Sequence, residues 1–249
     1  MKWLQNIGIT MEGEKEEITD SNDGPCEAPA VSVLPRTLIA QMVERENKYI
    51  SPSQMKTKEG EQLPKCTILV IAANTDTTRW EVEADVFGTC VHNYMAIHAW
   101  DPHSKEVQRQ NLNRANTIIS AFELGKYLTP ETLVEQANAL YAYIEKRFGE
   151  MTATGNEIPF THRTKDGQVV SGEIDLYVKT TSGEGILIDF KNPLIPKGKV
   201  SDEVVSAKAI SYWPQLKAYR HALTEAGEKV THTFIYYAML GTLAELEQD

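Results

Sequence analysis

The spacing of hydrophobic positions changes along the chain and predicts helices in some segments and strands in others. Apolar residues three or four positions apart predict helices over residues 36–46, 112–128 and 130–148. Thr129 is placed to cap the helix predicted over residues 130–148. The apolar stripe of this helix is typical of a helix that packs on a core. Apolar and β-branched runs predict strands over residues 67–73, 172–178, 186–191 and 230–240, and we expect the first of these strands to be buried. This order of elements predicts an α/β fold around a mixed sheet.

The two central strands are separated by a short turn and predict a β-hairpin. The six residues between them, Thr-Thr-Ser-Gly-Glu-Gly, are typical of a turn. If the tip is centred on Ser182, Asp175 lies opposite Asp189, and the Cβ atoms of directly opposed residues are about 5 Å apart. Because side chains alternate along a strand, Asp189 and Lys191 project together while Phe190 points into the core. The hairpin therefore predicts a cluster of two carboxylates and one amine.

Such a cluster favours a divalent cation. Two ionised carboxylates held this close repel each other unless a cation lies between them. Oxygen ligands suit Mg²⁺ or Mn²⁺, and these ions commonly leave positions open for water and substrate phosphate. Lys191 would orient the attacking water or stabilise charge on the phosphoryl group during phosphodiester hydrolysis. The alternative is a surface ion pair without function, but Asp175 and Asp189 each interrupt an apolar run where a buried strand favours Val or Ile.

Three short motifs in this part of the chain resemble those of the PD-(D/E)XK nuclease superfamily, and in particular its RecB-like exonuclease branch. They are Gly-x-Ile-Asp, Asp-x-Lys and, on a following helix, Gln-x-x-x-Tyr. The matching residues are Gly172 with Asp175, Asp189 with Lys191, and Gln215 with Tyr219. The resemblance covers roughly residues 85 to 240. It implies a restriction-endonuclease-like core, in which helices flank a mixed central β-sheet.

Two upstream segments extend the resemblance. Gly-Thr-x-x-His, ending at His92, is similar to a motif that opens an early helix in the branch and carries a metal-ligating histidine. Glu157 begins a segment similar to Glu-x-Pro-Phe, and it would help bind metal, position a helix, or be an ordinary acid of an edge strand. The resemblance also implies the Phe190 carbonyl as a further metal ligand. His98 and His103 are interpreted as bystanders.

Gln215 and Tyr219 are four residues apart, so both lie on one face of a helix. Pro214 suits the first turn of that helix, where its missing N–H has no consequence. The resemblance implies that this face lines the active site and contacts nucleic acid. The alternative is that Tyr219 belongs to the core and Gln215 is solvated.

Composition predicts one folded domain with an extension. The chain has 249 residues, of which 41% are hydrophobic. Residues 1–35 are expected to form an acidic flexible extension, and residues 36–249 a nuclease domain with an N-terminal helical part. No apolar run is long enough to span a membrane and no secretory signal is evident, so we expect no membrane association.

The cysteines predict a reduced compartment and no metal cluster. Cys26, Cys66 and Cys90 are odd in number and widely spaced, as in cytoplasmic proteins with free thiols. Some members of the superfamily hold an iron-sulfur cluster through four cysteines, three of which follow the nuclease core. Because no cysteine follows Cys90, we expect no iron-sulfur cluster here.

The charge distribution bears on DNA binding. The net charge of −10 is unusual for a free-standing DNA binder, since phosphate neutralisation supplies most non-specific affinity. Residues 1–30 hold an excess of acids, whereas residues 191–221 hold an excess of bases, and the loop 192–199 would touch a DNA backbone. We expect weak intrinsic affinity, with a helicase domain or subunit delivering the strand. The chain has no P-loop motif, so no ATP site is expected in it.

The leading hypothesis is a Mg²⁺- or Mn²⁺-dependent deoxyribonuclease. Its expected substrate is single-stranded DNA, digested as by an exonuclease in recombination or repair. Two alternatives stay open: a catalytically inactive module that threads DNA or docks onto a helicase, and a structure-specific endonuclease that cleaves branched DNA.

Overall fold

One mixed β-sheet organises the part of the chain that the computed structural model describes, which is residues 49–57, 60–77, 80–164, 167–193 and 200–247. Its strands are β1 (Tyr49–Ile50), β2 (Lys65–Val70), β3 (Met151–Arg163), β4 (Val169–Thr180), β5 (Gly185–Phe190), β6 (His232–Tyr237) and β7 (Thr242–Glu247). The strand order is β1-β4-β5-β6-β7-β2, and β3 pairs with β4 as well. The pairs β1–β4 and β5–β6 are parallel and the remaining pairs antiparallel. The predicted mixed sheet is therefore confirmed.

Helices cover both faces of the sheet. They are α1 (Ala84–Ile97), α2 (Lys105–Ala121), α3 (Pro130–Phe148), α4 (Asp202–Ser211) and α5 (Trp213–Glu225). The first three pack on one face around Leu176 and Ile188, whereas α4 and α5 pack on the other face around Tyr177 and Leu187. Alternation along β4 and β5 sends consecutive side chains into opposite cores. The result is the predicted α/β fold, with helices on both sides of a mixed sheet.

The hairpin has the predicted register. Leu176 pairs with Ile188 and Lys179 with Gly185, so each pair is equidistant from residue 182. The next position in this register places Asp175 opposite Asp189. Phe190 is buried in the core beneath α1–α3, as predicted.

The strand predicted over residues 67–73 exists as β2, but it is not buried. Among the described strands it pairs only with β7, and it forms an edge of the sheet that they build. Val70 at its end is 75% exposed. The apolar run indicated a strand correctly, but an edge position lets one side of that run face solvent.

Helix boundaries agree with prediction in one case and differ in another. Helix α3 has the predicted bounds, and the Thr129 hydroxyl accepts a hydrogen bond from the Thr132 N–H at 3.2 Å. The helix predicted over 112–128 is wrong at both ends, because α2 spans Lys105–Ala121. Ser104 caps α2 by accepting a hydrogen bond from the Val107 N–H, and this cap moves the start of the helix seven residues earlier than the apolar periodicity suggested.

The C-terminal third contains more elements than predicted. The single strand expected over residues 230–240 is wrong, because β6 ends at Tyr237 and a short 3₁₀ helix, Ala238–Leu240, leads into β7. Gly241 adopts a positive φ of 60° at the turn between them. Helix α4, which precedes the predicted Gln-Tyr helix, was not predicted.

His92 lies in the third turn of α1, which begins at Ala84. The Gly-Thr of its motif is therefore inside the helix and does not open it, contrary to the expectation from the resemblance. The predicted extension 1–35, the predicted helix 36–46 and most of the loop 192–199 lie outside the described residues. Among the described helices none has the length and apolar character needed to cross a membrane.

Two glycines allow close backbone approaches near the hairpin. A Cβ on Gly172 would lie 2.9 Å from the ring of Pro52, so this glycine lets the 3₁₀ turn Pro52–Gln54 pack on β4. A Cβ on Gly185 would lie 2.5 Å from the Tyr177 hydroxyl and would collide with the Lys229 carbonyl oxygen. The start of β5 therefore requires glycine.

Gly185→Ala is expected to lower the free energy of unfolding by about 3 kcal/mol, since it forces backbone apart in a packed core. Chemical denaturation of the full chain measures this loss. Gly125→Ala is the matched control, because a Cβ there meets nothing within 4 Å, and it should change stability by less than about 0.5 kcal/mol. Equal stability of the two variants would contradict the role given to Gly185.

Candidate active site

Three neighbouring strands bring three acids to the same level of the sheet. Asn156 pairs with Leu176 and Ile158 with Ile174, which places Glu157 at the level of Asp175 on one side. The hairpin register places Asp189 at the level of Asp175 on the other side. The side chains of directly opposed residues are close enough to interact. The row Glu157, Asp175 and Asp189 across β3, β4 and β5 is the basis of the candidate site.

Asp175 is held in the centre of this row. Its side chain is largely buried, and its Oδ2 accepts a hydrogen bond of 2.6 Å from the Phe190 N–H. The Nε2 of His92, which reaches over from α1, lies 3.3 Å from the same oxygen. The Phe190 N–H and the His92 side chain together fix the orientation of the Asp175 carboxylate.

Asp189 and Lys191 form a buried ion pair. Asp189 is fully buried, and its Oδ2 lies 2.6 Å from the Lys191 Nζ. The other oxygen, Oδ1, accepts a hydrogen bond of 2.8 Å from the Gln215 side-chain amide. Removal from water raises the pKa of Asp189 well above its ordinary value, and this effect outweighs the attraction of the Lys191 ammonium, while the charge of Asp175 adds to it.

Lys191 keeps its proton despite burial. Burial alone would lower the pKa of its ammonium, but the carboxylates of Asp189 and Asp175 outweigh burial and raise that pKa. The Lys191 Nζ also lies 5.1 Å from the centroid of the Tyr212 ring, in a cation–π contact. Sequence reasoning missed Tyr212, and its only signal was its position directly before the Trp-Pro that starts α5.

Helix α5 contributes an amide and a phenol from one face. Gln215 donates hydrogen bonds both to Asp189 and, at 2.6 Å, to the Tyr219 hydroxyl. Both side chains are buried, and the Tyr219 ring packs edge-on against Phe160 at 5.6 Å. Tyr219 thus belongs to the core, as the alternative interpretation held, but Gln215 is not solvated. The structure brings both residues against the acids of the hairpin.

One group of donors can hold a metal ion. A ligand atom each of His92, Glu157 and Asp175 lies within 4.8 Å of the others. The Glu157 Oε1 is buried without a hydrogen-bond partner and lies 3.6 Å from the His92 Nε2. A buried carboxylate oxygen with no donor is costly unless a cation satisfies it. One imidazole and two carboxylates, with a third carboxylate at the same level, are a donor set that Mg²⁺ or Mn²⁺ accepts.

Burial and neighbouring charges shift the pKa values of the side chains in this group. The hydrogen bond to Asp175 raises the pKa of His92, with burial opposing and the charges of Asp175 and Glu157 reinforcing the shift. Burial raises the pKa of Glu157, while His92 opposes this shift and Asp175 adds to it. Glu157 also has a φ of 49°, in the left-handed region that a non-glycine residue rarely adopts. Such strain is typical of functional positions.

The structure thus places the predicted residues together, but their grouping differs from the prediction. Among the described residues, the group of possible metal ligands at the hairpin contains Glu157, which the sequence indicated only as an accessory. Asp189 instead pairs with Lys191, and the Phe190 N–H orients Asp175. The bystanders lie elsewhere: His98 is buried against the Tyr94 hydroxyl at 2.9 Å, and burial lowers its pKa to about 4.

A mixed sheet flanked by helices, with acids and a lysine gathered on adjacent strands, is compatible with metal-dependent phosphodiester hydrolysis. Residues 67–245 match the model of the PD-(D/E)XK nuclease superfamily. Because the match covers most of the chain, the chain belongs to this superfamily. Membership indicates a nuclease that uses divalent metal ions and binds DNA, with a restriction-endonuclease-like fold. No curated protein matches the sequence significantly.

The raised pKa of Asp189 predicts a pH dependence. A carboxylate must lose its proton to help hold a metal ion, and a raised pKa moves this loss to higher pH. The His92 imidazole, whose pKa is also raised, must likewise lose its proton to bind metal. Cleavage should therefore rise with pH across the weakly acidic range, and at lower pH it should fall at least about tenfold for each pH unit. Initial rates with Mn²⁺ between about pH 5 and pH 8.5 measure this slope. A flat profile down to about pH 5 would contradict the raised pKa values of both groups.

Proposed function

We propose that this protein is a Mg²⁺- or Mn²⁺-dependent deoxyribonuclease whose metal site consists of His92, Glu157, Asp175 and Asp189. The observation that supports this most strongly is the row of three acids across adjacent strands beside the Lys191 ammonium. By the resemblance to the RecB-like branch, the Phe190 carbonyl is a further proposed ligand. The intact Asp175, Asp189 and Lys191 count against an inactive domain, since the ion pair of Lys191 with the buried Asp189 is costly to hold without a function.

Each side chain has a distinct role in the proposed reaction. A bound Mg²⁺ or Mn²⁺ supplies a water of lowered pKa and neutralises negative charge on the phosphate. Lys191, fixed by its ion pair with Asp189, orients the attacking water and stabilises the charge that develops on the phosphoryl oxygens. In-line attack breaks the bond to the 3′ oxygen and leaves 5′-phosphate and 3′-hydroxyl ends.

Gln215 and Tyr219 are proposed to position the strand and the acids. The Gln215 amide donates hydrogen bonds to Asp189 and to the Tyr219 hydroxyl, so a shift of α5 moves the Asp189 carboxylate. Both residues follow the pattern of the RecB-like branch, to which we assign the chain on the residues quoted above. By the same resemblance we propose that the protein acts in recombination or repair beside a helicase domain or subunit.

Single-stranded DNA is the proposed substrate, degraded from its ends. The net charge of −10 supports weak intrinsic affinity and delivery of a strand by a partner, because few phosphate contacts can be made by an acidic protein alone.

We also propose that residues 1–35, which are rich in acids, form an extension outside the nuclease domain.

A cleavage assay tests this function. The full chain is incubated with Mn²⁺ and end-labelled single-stranded, duplex, branched or circular DNA. We expect linear single strands to be degraded and circular single strands to survive. Cleavage of circles, or preferential cutting at branch points, would indicate an endonuclease and overturn the exonuclease proposal. DNA binding without cleavage of any substrate would favour the inactive module.

A further inference from the structure

A second group of metal-ligating side chains lies apart from the candidate active site. It consists of His162 on β3 and of His221 and Glu225 on α5. The His162 Nδ1 lies 2.8 Å from Glu225 Oε2, and the His221 Nε2 lies 3.5 Å from Glu225 Oε1. The two imidazole rings meet edge to face with their centroids 4.1 Å apart. One ligand atom from each of the three side chains lies within 4.8 Å of the others.

The distances approach those of a tetrahedral metal site. Zinc binds imidazole nitrogen and carboxylate oxygen at about 2.0–2.2 Å, which separates neighbouring ligand atoms by about 3.4 Å. His221 and Glu225 are four residues apart on one helix, the spacing with which helical side chains chelate a single ion. The side chains of His221 and Glu225 are 51% and 54% exposed, so small rotations can bring them onto an ion. His162 supplies the third ligand from a different element of the fold.

We propose that His162, His221 and Glu225 form a zinc-binding site, with a fourth position open to water. Two imidazoles and one carboxylate favour Zn²⁺ over Mg²⁺, because imidazole suits transition metals and Mg²⁺ requires mainly oxygen ligands. The candidate active site has the opposite balance, with more carboxylates than imidazoles. The two sites therefore differ in the metal that they select.

The consequence of zinc binding follows from the elements that it joins. Strand β3 also carries Glu157, and α5 also carries Gln215 and Tyr219. An ion held between β3 and α5 cross-links the two elements at a point remote from the acids of the hairpin. Zinc at this site stabilises the packing of α5 on the edge of the sheet.

Zinc titration of the untagged full chain tests this inference. The titration is made in an Asp175→Asn background, which weakens metal binding at the candidate active site, and in the presence of excess Mg²⁺. We expect one Zn²⁺ bound per chain, and at least a tenfold weaker affinity when His221→Asn or Glu225→Gln is added. His103→Asn is the matched control, since His103 is an exposed histidine outside the group, and it should leave the affinity unchanged.

Two measurements decide between a metal site and a simple surface hydrogen bond from His162 to Glu225. Zinc should raise the unfolding temperature of the background protein but not that of its His221→Asn variant, and Co²⁺ should give a visible absorption band that His221→Asn removes. Equal zinc affinity in all three variants, or competition by Mg²⁺, would overturn the proposal. These measurements do not use cleavage, so they are independent of the proposed nuclease activity.

Discussion

Lys191→Ala is expected to lower the rate of DNA cleavage about 1,000-fold, which is the effect of removing one charged group that stabilises a transition state. Metal binding should be retained, because all four proposed ligands, His92, Glu157, Asp175 and Asp189, are unchanged. The fold should also be retained, since the Gln215 amide still donates a hydrogen bond to Asp189 and a bound metal ion would balance the charge of that carboxylate when the ammonium is removed. Single-turnover cleavage with saturating Mn²⁺, together with thermal unfolding, measures both effects.

Lys179→Ala is the matched control for this variant. Lys179 lies on β4 of the same hairpin but pairs with Glu228, away from the acids. Its removal should leave the cleavage rate within about twofold of the parent, because it breaks only a partly exposed ion pair. If both variants cleaved at the parental rate, Lys191 would have a structural role only.

Asp175→Ala is expected to reduce both metal binding and cleavage. Asp175 is the centre of the acid row and lies within reach of His92, so its loss removes a ligand that the others cannot replace. We expect Mn²⁺ affinity to fall about 100-fold and cleavage to fall at least as much. Mn²⁺ binding measured by electron paramagnetic resonance, and cleavage at several Mn²⁺ concentrations, test the two parts separately.

Asp175→Asn separates the loss of charge from the loss of a hydrogen bond. The Phe190 N–H donates to Asp175, and alanine leaves this buried donor without an acceptor at a cost of about 1–3 kcal/mol. Asparagine retains an acceptor oxygen and should keep the stability of the parent while losing metal affinity. An asparagine variant that binds Mn²⁺ as tightly as the parent would show that the carboxylate charge is not used for metal binding.

The core of the candidate site could be predicted because it is local in sequence. The hairpin is closed by a short turn, so its register follows from its numbering and places Asp175 and Asp189 together. Gln215 and Tyr219 share a helical face for an equally local reason. The contact of Gln215 with Asp189, in contrast, depends on how α5 packs on the sheet.

Glu157 was harder to rank because its strand contains Gly155 and Pro159, residues that disfavour a regular strand. The φ of Glu157 also departs from that of a regular strand. Only the assembled sheet shows that Glu157 stands level with Asp175. Tyr212 was missed for a different reason, since its contact with Lys191 joins elements on either side of a loop.

The elements that were not predicted have local sequences that do not favour the structures they form. Strand β7, Thr-Leu-Ala-Glu-Leu-Glu, is rich in residues that favour helices, and it is held in the sheet by pairing with β2 and β6. Its Glu245 is buried, and this burial is tolerated because Arg147 from α3 donates hydrogen bonds of 2.7 and 2.9 Å to the two oxygens of its carboxylate. In α4, Val205 is buried whereas the neighbouring Val204 is exposed, so its apolar residues do not mark a single face.

The central claim is that His92, Glu157, Asp175 and Asp189 hold one catalytic metal site beside Lys191. Its most direct test is cleavage of labelled single-stranded DNA by the isolated full chain with Mn²⁺, with and without excess EDTA, compared with Asp175→Asn. We predict cleavage that EDTA abolishes and that the variant lacks even when Mn²⁺ is raised. Cleavage that persists in EDTA, or equal Mn²⁺-dependent cleavage by parent and variant, would contradict the account.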